Sequence, residues 1–480
     1  MTTARYAVMA PDVSPSEKVL EVYSPYDRRL LAQVETVDEP GIEQVLRTAY
    51  QTFENRDQWL SGEQRLGILK RMAELMTRDA DRLTGIAVRE GGKPLTDSRV
   101  EMARAIDGIH LCAQCIRTSH GEEIPMGINA ASQHRLAVTR HEPIGVALAF
   151  SAFNHPINLI VHQIGPAIAA GCPVIVKPAN DTPLSCYELV KLFREAGLPP
   201  AWCQVISTTS HDVSQALVSD DRVAFFSFIG SADVGWMLRS KLAPGARCAL
   251  EHGGIAPVVL APDADLEGAI PLLAKGGFYH AGQVCISVQR VYAPAGLAAQ
   301  VAEGLARAGE AMSVGDPALD STGIGPLIRE REIERVHRWV SQAVSEGAQL
   351  ICGGQRIGES CYAPTVLLDP PANSEVSCEE VFGPVICVYS YKDMDEAIDS
   401  ANAVPFAFQA AVFTRDIDTA MHAYRRLNAS AVMVNDHTAF RVDWMPFSGL
   451  RHSGMGVGGI PGTFADMQIE KMLVIRSDHL

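Results

Sequence analysis

No apolar run in the sequence is long enough to cross a bilayer. The best candidate, Ile164 to Val176, has 13 residues and is broken by Pro166 and Gly171, whereas a spanning helix needs roughly 20. No basic surplus exists either: 41 Lys and Arg stand against 56 Asp and Glu, a net charge of −15. That field repels polyphosphate and anionic lipid, so neither nucleic acid nor a membrane surface is an expected partner. The N-terminus lacks an apolar stretch behind a basic start, and the expected compartment is the cytoplasm. Cysteine is sparse and odd in number, eleven scattered over 480 residues, which argues against a disulfide framework. Cys112 and Cys115 form one CxxC, but no second Cys or His pair follows at finger spacing, and no metal site is expected. Internal repeats and low-complexity linkers are absent too.

What is present is an average globular composition, 47% apolar and 20% charged, over a length of roughly three domains. Residues 40–118 carry helical periodicity, with Ile42, Val45 and Leu46 opening one stripe and Leu69, Met72, Leu75 and Met76 another. From Ile144 the pattern turns to apolar bursts between helices. Ile144–Phe150, Val174–Val176, Cys203–Ile206 and Val223–Phe228 read as buried strands, with a helix between two of them that starts at Thr182 and Pro183 and stops at Gly197. A second block follows: a strand at Pro257–Ala261, a helix at Asp265–His280 and a strand at Ile286–Tyr292. Alternating strands and helices imply an α/β class with parallel sheets. His134–His141 alternates and reads as one arm of an exposed hairpin, Met472–Ile475 as a terminal strand, and Pro446–Gly462 as a glycine-rich loop.

The spacing Gly454, Gly456, Gly459 matches GxGxxG, yet neither a preceding strand nor a following helix is legible, so it reads as loop. Better context surrounds Val223–Gly235: a strand, a turn at Gly230 and Ser231, then a helix start containing Gly235. Free N–H groups and the positive end of a helix there suit a pyrophosphate. Cys285, in Gly282-Gln283-Val284-Cys285, stands at a turn in a polar, glycine-containing setting unlike that of Cys248 or Cys387. Glu251, 34 residues earlier, precedes two glycines. Asn154 follows a buried strand, at the end of the sheet where α/β proteins bind ligands.

Together these segments identify the chain as similar to the aldehyde dehydrogenase superfamily over roughly residues 20–475. The resemblance rests on PIGV (143–146), FNHP (153–156), GCPVIVKPA (171–179), FIGSADVG (228–235), LEHGG (250–254), GQVC (282–285), EEVFGP (379–384) and MPFSGLRHSG (445–454). It implies a Rossmann-type cofactor domain (1–130 and 143–250), an α/β catalytic domain (251–440) and a small β oligomerisation arm (131–142 and 460–480), in a homodimer or homotetramer. It also implies a thiol nucleophile at Cys285, an oxyanion-binding amide at Asn154 and a deacylating base at Glu251. Lys177 and Glu380, with Phe382 nearby, match cofactor contacts of the family, beside the turn of Gly230, Ser231 and Gly235. NAD-preferring relatives often carry a glutamate three residues after the lysine. Here that position is Asn180, which repels no 2′-phosphate, so NAD is expected first and NADP second.

The stretch NDHTAFRVDWMPF (435–447) resembles phosphonoacetaldehyde, lactaldehyde-like and semialdehyde-oxidising groups, and so implies a small aldehyde with an anionic end. Arg104, His155 and Arg441 are the candidate contacts. Each has a plainer reading: Arg104 paired with Glu101 or Asp107, Arg441 with Asp443 or Asp436, and His155 packed beside Pro156. Two rival functions stand beside oxidation to the carboxylate. One is acylation of coenzyme A, in relatives that often lack the base, and the other is a non-catalytic role on the same scaffold, which loss of Cys285 or Glu251 would mark. Both residues are present.

Overall fold

The helical stripes of the first third form four helices: α1 (Glu39–Glu54), α2 (Gly62–Arg78), α3 (Ala80–Gly91) and α4 (Leu95–Thr118). They appear in a computed structural model that describes residues 3–480. Cys112 and Cys115 lie on the buried side of α4, and all eleven cysteines are free thiols. No group of metal-ligating side chains occurs among the described residues. No helix among them is long and apolar enough to cross a membrane.

The apolar bursts after Ile144 build a six-stranded sheet. Its parallel strands are Val146–Phe150, Val174–Lys177, Cys203–Val205, Val223–Ile229 and Arg247–Glu251, and the short Gly454–Met455 closes one edge antiparallel. Numbered along the chain, the five parallel strands run 3-2-1-4-5 across the sheet, so the order reverses between Val146–Phe150 and Val223–Ile229. Such a reversal opens a crevice at the carboxyl ends of the two strands. The connecting helices are α5 (Asn158–Ala170), α6 (Leu184–Glu195), α7 (His211–Ser219) and α8 (Ala232–Arg239). Every residue of α5 is buried, as an all-round apolar helix requires. Its first N–H groups are satisfied from α4, where Glu101 accepts from Ile157 at 2.8 Å and from Asn158 at 2.9 Å and pairs with buried Lys93.

Several elements depart from the sequence reading. Thr182 does not cap α6; its hydroxyl donates to the Phe153 carbonyl, and Glu90 of α3 accepts from the N–H groups of Leu184 and Ser185 instead. Glu251 ends a strand absent from the sequence reading, since Arg247–Glu251 adds a fifth parallel strand that periodicity did not reveal. The glycine-rich segment is not wholly loop: Gly454–Met455 is an edge strand, and a seven-residue helix, Ile460–Asp466, follows. That strand is antiparallel, so the segment still lacks the strand-to-helix crossover of a dinucleotide cradle.

The second block forms a seven-stranded sheet, parallel except at one edge, in the order Gln349–Cys352, Thr365–Leu368, Val385–Tyr391, Arg290–Pro294, Pro257–Leu260, Gln409–Phe413, Ala431–Val434. The helix α9 (Leu266–Phe278) precedes the Cys285 loop. The strand expected from Ile286 begins only at Arg290, because Cys285 to Gln289 turn back to bring their backbone over Gly254 and Gly276.

A third, antiparallel sheet orders Gln468–Arg476, Arg135–Pro143 and Glu123–Ile124. Strands 135–143 and 468–476 pair with each other within the chain, from Gln468 opposite Pro143 to Arg476 opposite Arg135. The two strands are thus each other's partners within one chain. Glu123–Ile124 joins this sheet as well, while Ile460–Asp466 packs on α4 and α5.

Candidate active site

One cavity of about 960 Å³ lies at the strand-order reversal, between the two large sheets. Asn154, Glu251, Cys285, Lys177, Gly230, Ser231, Glu380, Phe382, Arg104, His155 and Arg441 all line it. Asn180 and Gly235 are not among the lining residues, but each adjoins one, Asn180 beside Lys177 and Gly235 beside His252.

Local backbone chemistry positions Cys285. After α9 the chain passes through three consecutive left-handed residues, His280 (φ 48°), Ala281 (φ 54°) and Gly282 (φ 70°). A Cβ on Gly282 would lie 2.0 Å from the Gly383 carbonyl oxygen, so only glycine fits there. Gln283 then locks the turn: its amide donates to the Pro326 carbonyl at 3.2 Å and accepts from the Ile328 N–H at 3.0 Å. The Gln283 carbonyl accepts from Asn154 Nδ2 at 2.9 Å. One N–H of that amide nitrogen is thereby spent and the other is left for an oxyanion. The Cys285 carbonyl accepts from the Gly254 N–H at 3.0 Å, which ties the thiol loop to the segment following Glu251.

Burial governs the protonation of these groups. It pushes the Cys285 thiol up to about 12, reinforced by Glu380 and Glu251 and opposed by Arg441. It also raises the Glu251 carboxyl above the ordinary carboxylate range, again opposed by Arg441. A carboxyl raised in this way is a better proton acceptor when ionised.

On the other side of the cavity the side chains are unsatisfied in a patterned way. Glu380 is pushed up to about 8 by burial, and its Oε1 has no hydrogen-bond partner. Its carboxyl lies over Gly253, where a Cβ would come within 1.7 Å of Oε1. Lys177 is lowered to about 8 by burial, with Asp181 opposing. Its Nζ has one long contact, 3.5 Å to Asn180 Oδ1, and lies 5.4 Å from the centroid of the Phe150 ring. Asn180 donates to the Thr208 carbonyl. Ser231 occupies the N-cap of α8, and Gly235 lets that helix rest on the His252 ring, 1.9 Å from where a Cβ would stand. Exposed Val234 and Met237 lie farther along α8. Phe382, at φ 48°, sets its ring edge-on to Phe153. An orphaned carboxyl oxygen, a nearly free ammonium, a glycine-flanked helix start and an apolar patch fit ribose hydroxyls, a pyrophosphate and a base.

At the far end the sequence-level contacts change meaning. Arg104 grips Asp443 through two nitrogens, Nε at 3.0 Å and Nη2 at 2.7 Å; its partner is neither Glu101 nor Asp107. His155 is held neutral by burial and by the nearby charges of Lys93, Arg104 and Arg441, and its Nε2 lies 3.4 Å from the Tyr279 hydroxyl. Its cationic form is thereby disfavoured, while the ring still lines the cavity. Arg441 stacks over the Phe447 ring at 3.4 Å, donates to His162 Nδ1 at 3.3 Å, and stays 4.0 Å from Asp443. Its buried Nε has no partner. Sequence reasoning named Asp443 only as a candidate partner of Arg441, and it missed both the tighter pairing of Asp443 with Arg104 and the place of His162 in this site. The two-residue spacing of Arg441 and Asp443 was the only visible signal, and α5, which carries His162, reads as plain core.

A model of the aldehyde dehydrogenase family matches residues 13–473. The 3-sulfolactaldehyde dehydrogenase of Priestia megaterium is 36% identical over 457 residues, which are 95% of each chain. Among solved structures, aldehyde dehydrogenase 21 from Physcomitrella patens, in complex with the reaction product succinate, superposes with a TM-score of 0.94 at 31% identity, covering 99% of both chains. The glyceraldehyde-3-phosphate dehydrogenase of Methanocaldococcus jannaschii, complexed with NADP, superposes with a TM-score of 0.91 at 31% identity, over 96% of this chain and 100% of the other.

Proposed function

The chain belongs to the aldehyde dehydrogenase family, which makes it an NAD(P)-dependent aldehyde oxidoreductase, and on that premise we propose that it oxidises a short aldehyde with an anionic far end to the carboxylate through a thioester on Cys285. The sheet carrying Lys177 and Gly230 would serve the cofactor, and the sheet that follows Glu251 would present the thiol. Cys285 as thiolate adds to the aldehyde carbon, forming a C–S bond and an oxyanion that the free N–H of Asn154 stabilises. A nicotinamide, when bound, supplies the hydride acceptor for collapse to the thioester, and Glu380 and Lys177 are the residues to hold its riboses. Glu251 then takes a proton from water, whose oxygen attacks the thioester carbon, and the C–S bond breaks to release the carboxylate product and return the Cys285 thiolate.

The observation that carries the anionic end is Arg441: a buried guanidinium, stacked on Phe447, whose nearest carboxylate is already claimed by Arg104. A buried cation without a matched partner is costly unless a ligand supplies the counter-charge. Sulfonate, carboxylate and phosphate ends in the names of similar proteins agree with this reading.

The test follows reduced-nicotinamide absorbance with NAD and with NADP over neutral and anionic aldehydes, with and without coenzyme A. We expect turnover without coenzyme A, and in Cys285→Ala loss of turnover with nucleotide affinity within about threefold of the parent. More than a few per cent residual turnover in that variant would refute the thiol mechanism.

A further inference from the structure

Asp443 does more than pair with one arginine. It is 2% exposed and gathers donors from two helices. Arg104 of α4 binds both its oxygens, Asn158 Nδ2 of α5 donates to Oδ1 at 3.2 Å, and His162 Nε2, one turn on, lies 2.8 Å from the same oxygen. The hydrogen-bond pattern fixes the histidine. Arg441 has only donors, so His162 Nδ1 must accept, and Nε2 therefore carries the proton and donates to Asp443. His162 is thus neutral, in keeping with burial that lowers it to about 4. An unbroken chain runs Arg441, His162, Asp443, Arg104. Within this chain two guanidinium cations meet one carboxylate; Glu251, outside it, also acts on Arg441 through space but makes no hydrogen bond to it, and Lys93 in the neighbouring shell is cancelled by Glu101.

We propose that Asp443 determines the charge class of the substrate: by binding Arg104 through both oxygens and leaving Arg441 with no carboxylate in hydrogen-bond contact, it leaves one guanidinium free at this end of the cavity, matched to a monoanionic aldehyde and not to a dianionic one. The inference rests on the reading that Arg441 receives the substrate's charged end. Asp443 acts through Arg441 and His162 as a specificity-determining residue that itself repels the ligand's charge. A second negative charge on the ligand meets Asp443 without a second free cation, and in a low-dielectric pocket that mismatch weighs heavily. Removing the charge of Asp443 frees Arg104 and presents two cations.

The experiment measures kcat/KM for three aldehydes with wild type and Asp443→Asn: butanal, succinate semialdehyde, and phosphonoacetaldehyde at a pH where the phosphonate is dianionic. Wild type is expected to favour succinate semialdehyde over both others. In Asp443→Asn the ratio of monoanion to dianion efficiency is expected to fall by about tenfold or more, mainly through KM. A ratio that stays within about twofold while both efficiencies drop together would reduce Asp443 to a structural role and overturn the proposal. Wild type that treats butanal and succinate semialdehyde alike would instead remove the Arg441 reading, and this proposal with it. Should Asp443→Asn fail to fold, Arg104→Gln decides. With Asp443 then facing Arg441 alone, the preference for succinate semialdehyde over butanal should fall about tenfold, and its retention overturns the charge assignment.

Discussion

Cys285 is a thiol that the fold keeps protonated, since burial and the two flanking carboxyls outweigh Arg441 and hold it near 12. The sign of the consequence follows: a raised thiol constant makes thiolate scarce at neutral pH, and its fraction grows about tenfold for each unit of pH until the constant is reached. Alkylation of the ligand-free protein by iodoacetamide, located at Cys285 by mass spectrometry, is therefore expected to accelerate about tenfold per unit between about pH 7 and 9. A rate that levels off in that window would show that a cation activates the thiol before ligands arrive. Among the eleven cysteines this one was legible because its neighbours Tyr279 to Gln283 are polar and glycine-containing, a setting that core packing does not call for. Only its loop carries a cysteine into the cavity wall. Arg104 was legible as a charged helical residue but not in its role. Helical spacing offers Glu101 and Asp107 as partners, yet Glu101 is occupied with Lys93 and the α5 N-terminus, and the partner that wins is far off in sequence.

The junction between the strand Arg247–Glu251 and the glycine-rich segment depends on an absent side chain. Gly458 exchanges two backbone hydrogen bonds with Phe447, at 2.7 and 3.1 Å, and a Cβ on it would come within 2.3 Å of Glu251 Oε1 and 2.8 Å of the Phe447 carbonyl oxygen. The second contact is with backbone, so the strain cannot be relieved by rotating the glutamate alone. Gly458→Ala is thus expected to displace the carboxyl that would serve deacylation while leaving the thiol loop, pinned separately by Gln283, intact. A rapid-mixing experiment should show a burst of reduced nicotinamide close to one per site, followed by steady turnover lowered about tenfold. An unchanged steady rate would mean that Glu251 does not work from the position described. Element types in this region were partly legible. Strand Val223–Ile229, its turn and α8 follow from apolar run, glycine and helix start, whereas Arg247–Glu251 did not stand out, because an exposed arginine and a partly exposed cysteine open it. The glycine-rich stretch reads as loop from composition, and the long-range pairing of Gly454 with Glu251 that makes part of it a strand leaves no local mark.

Across the whole molecule, the reversal of strand order and the crossing from one large sheet to the other at Gly253 and Gly254 explain why eleven cavity residues, scattered from Arg104 to Arg441, meet in one place. The alternation of apolar bursts and helices carried that architecture in the sequence, and fixed spacings carried the site. Partners of buried charges were not legible, since a hydrogen bond between α5 and the 435–449 loop has no periodicity. The third sheet poses a different problem. Met472, Leu473, Val474 and Ile475 are each 43–56% exposed, four consecutive apolar residues on both faces of a sheet that no other element of the chain covers fully. Such a patch seeks a second chain, and an assembly of two or four copies would bury it. Leu473 and Ile475 share one face, because side chains alternate along a strand. Replacing both with lysine leaves the backbone pairing to Arg135–Pro143 intact, since those bonds do not involve side chains. Light scattering after size exclusion should then report a shift from oligomer toward monomer, with far-ultraviolet circular dichroism unchanged. A double variant that keeps the parent mass would place the contact between copies on another face of the molecule.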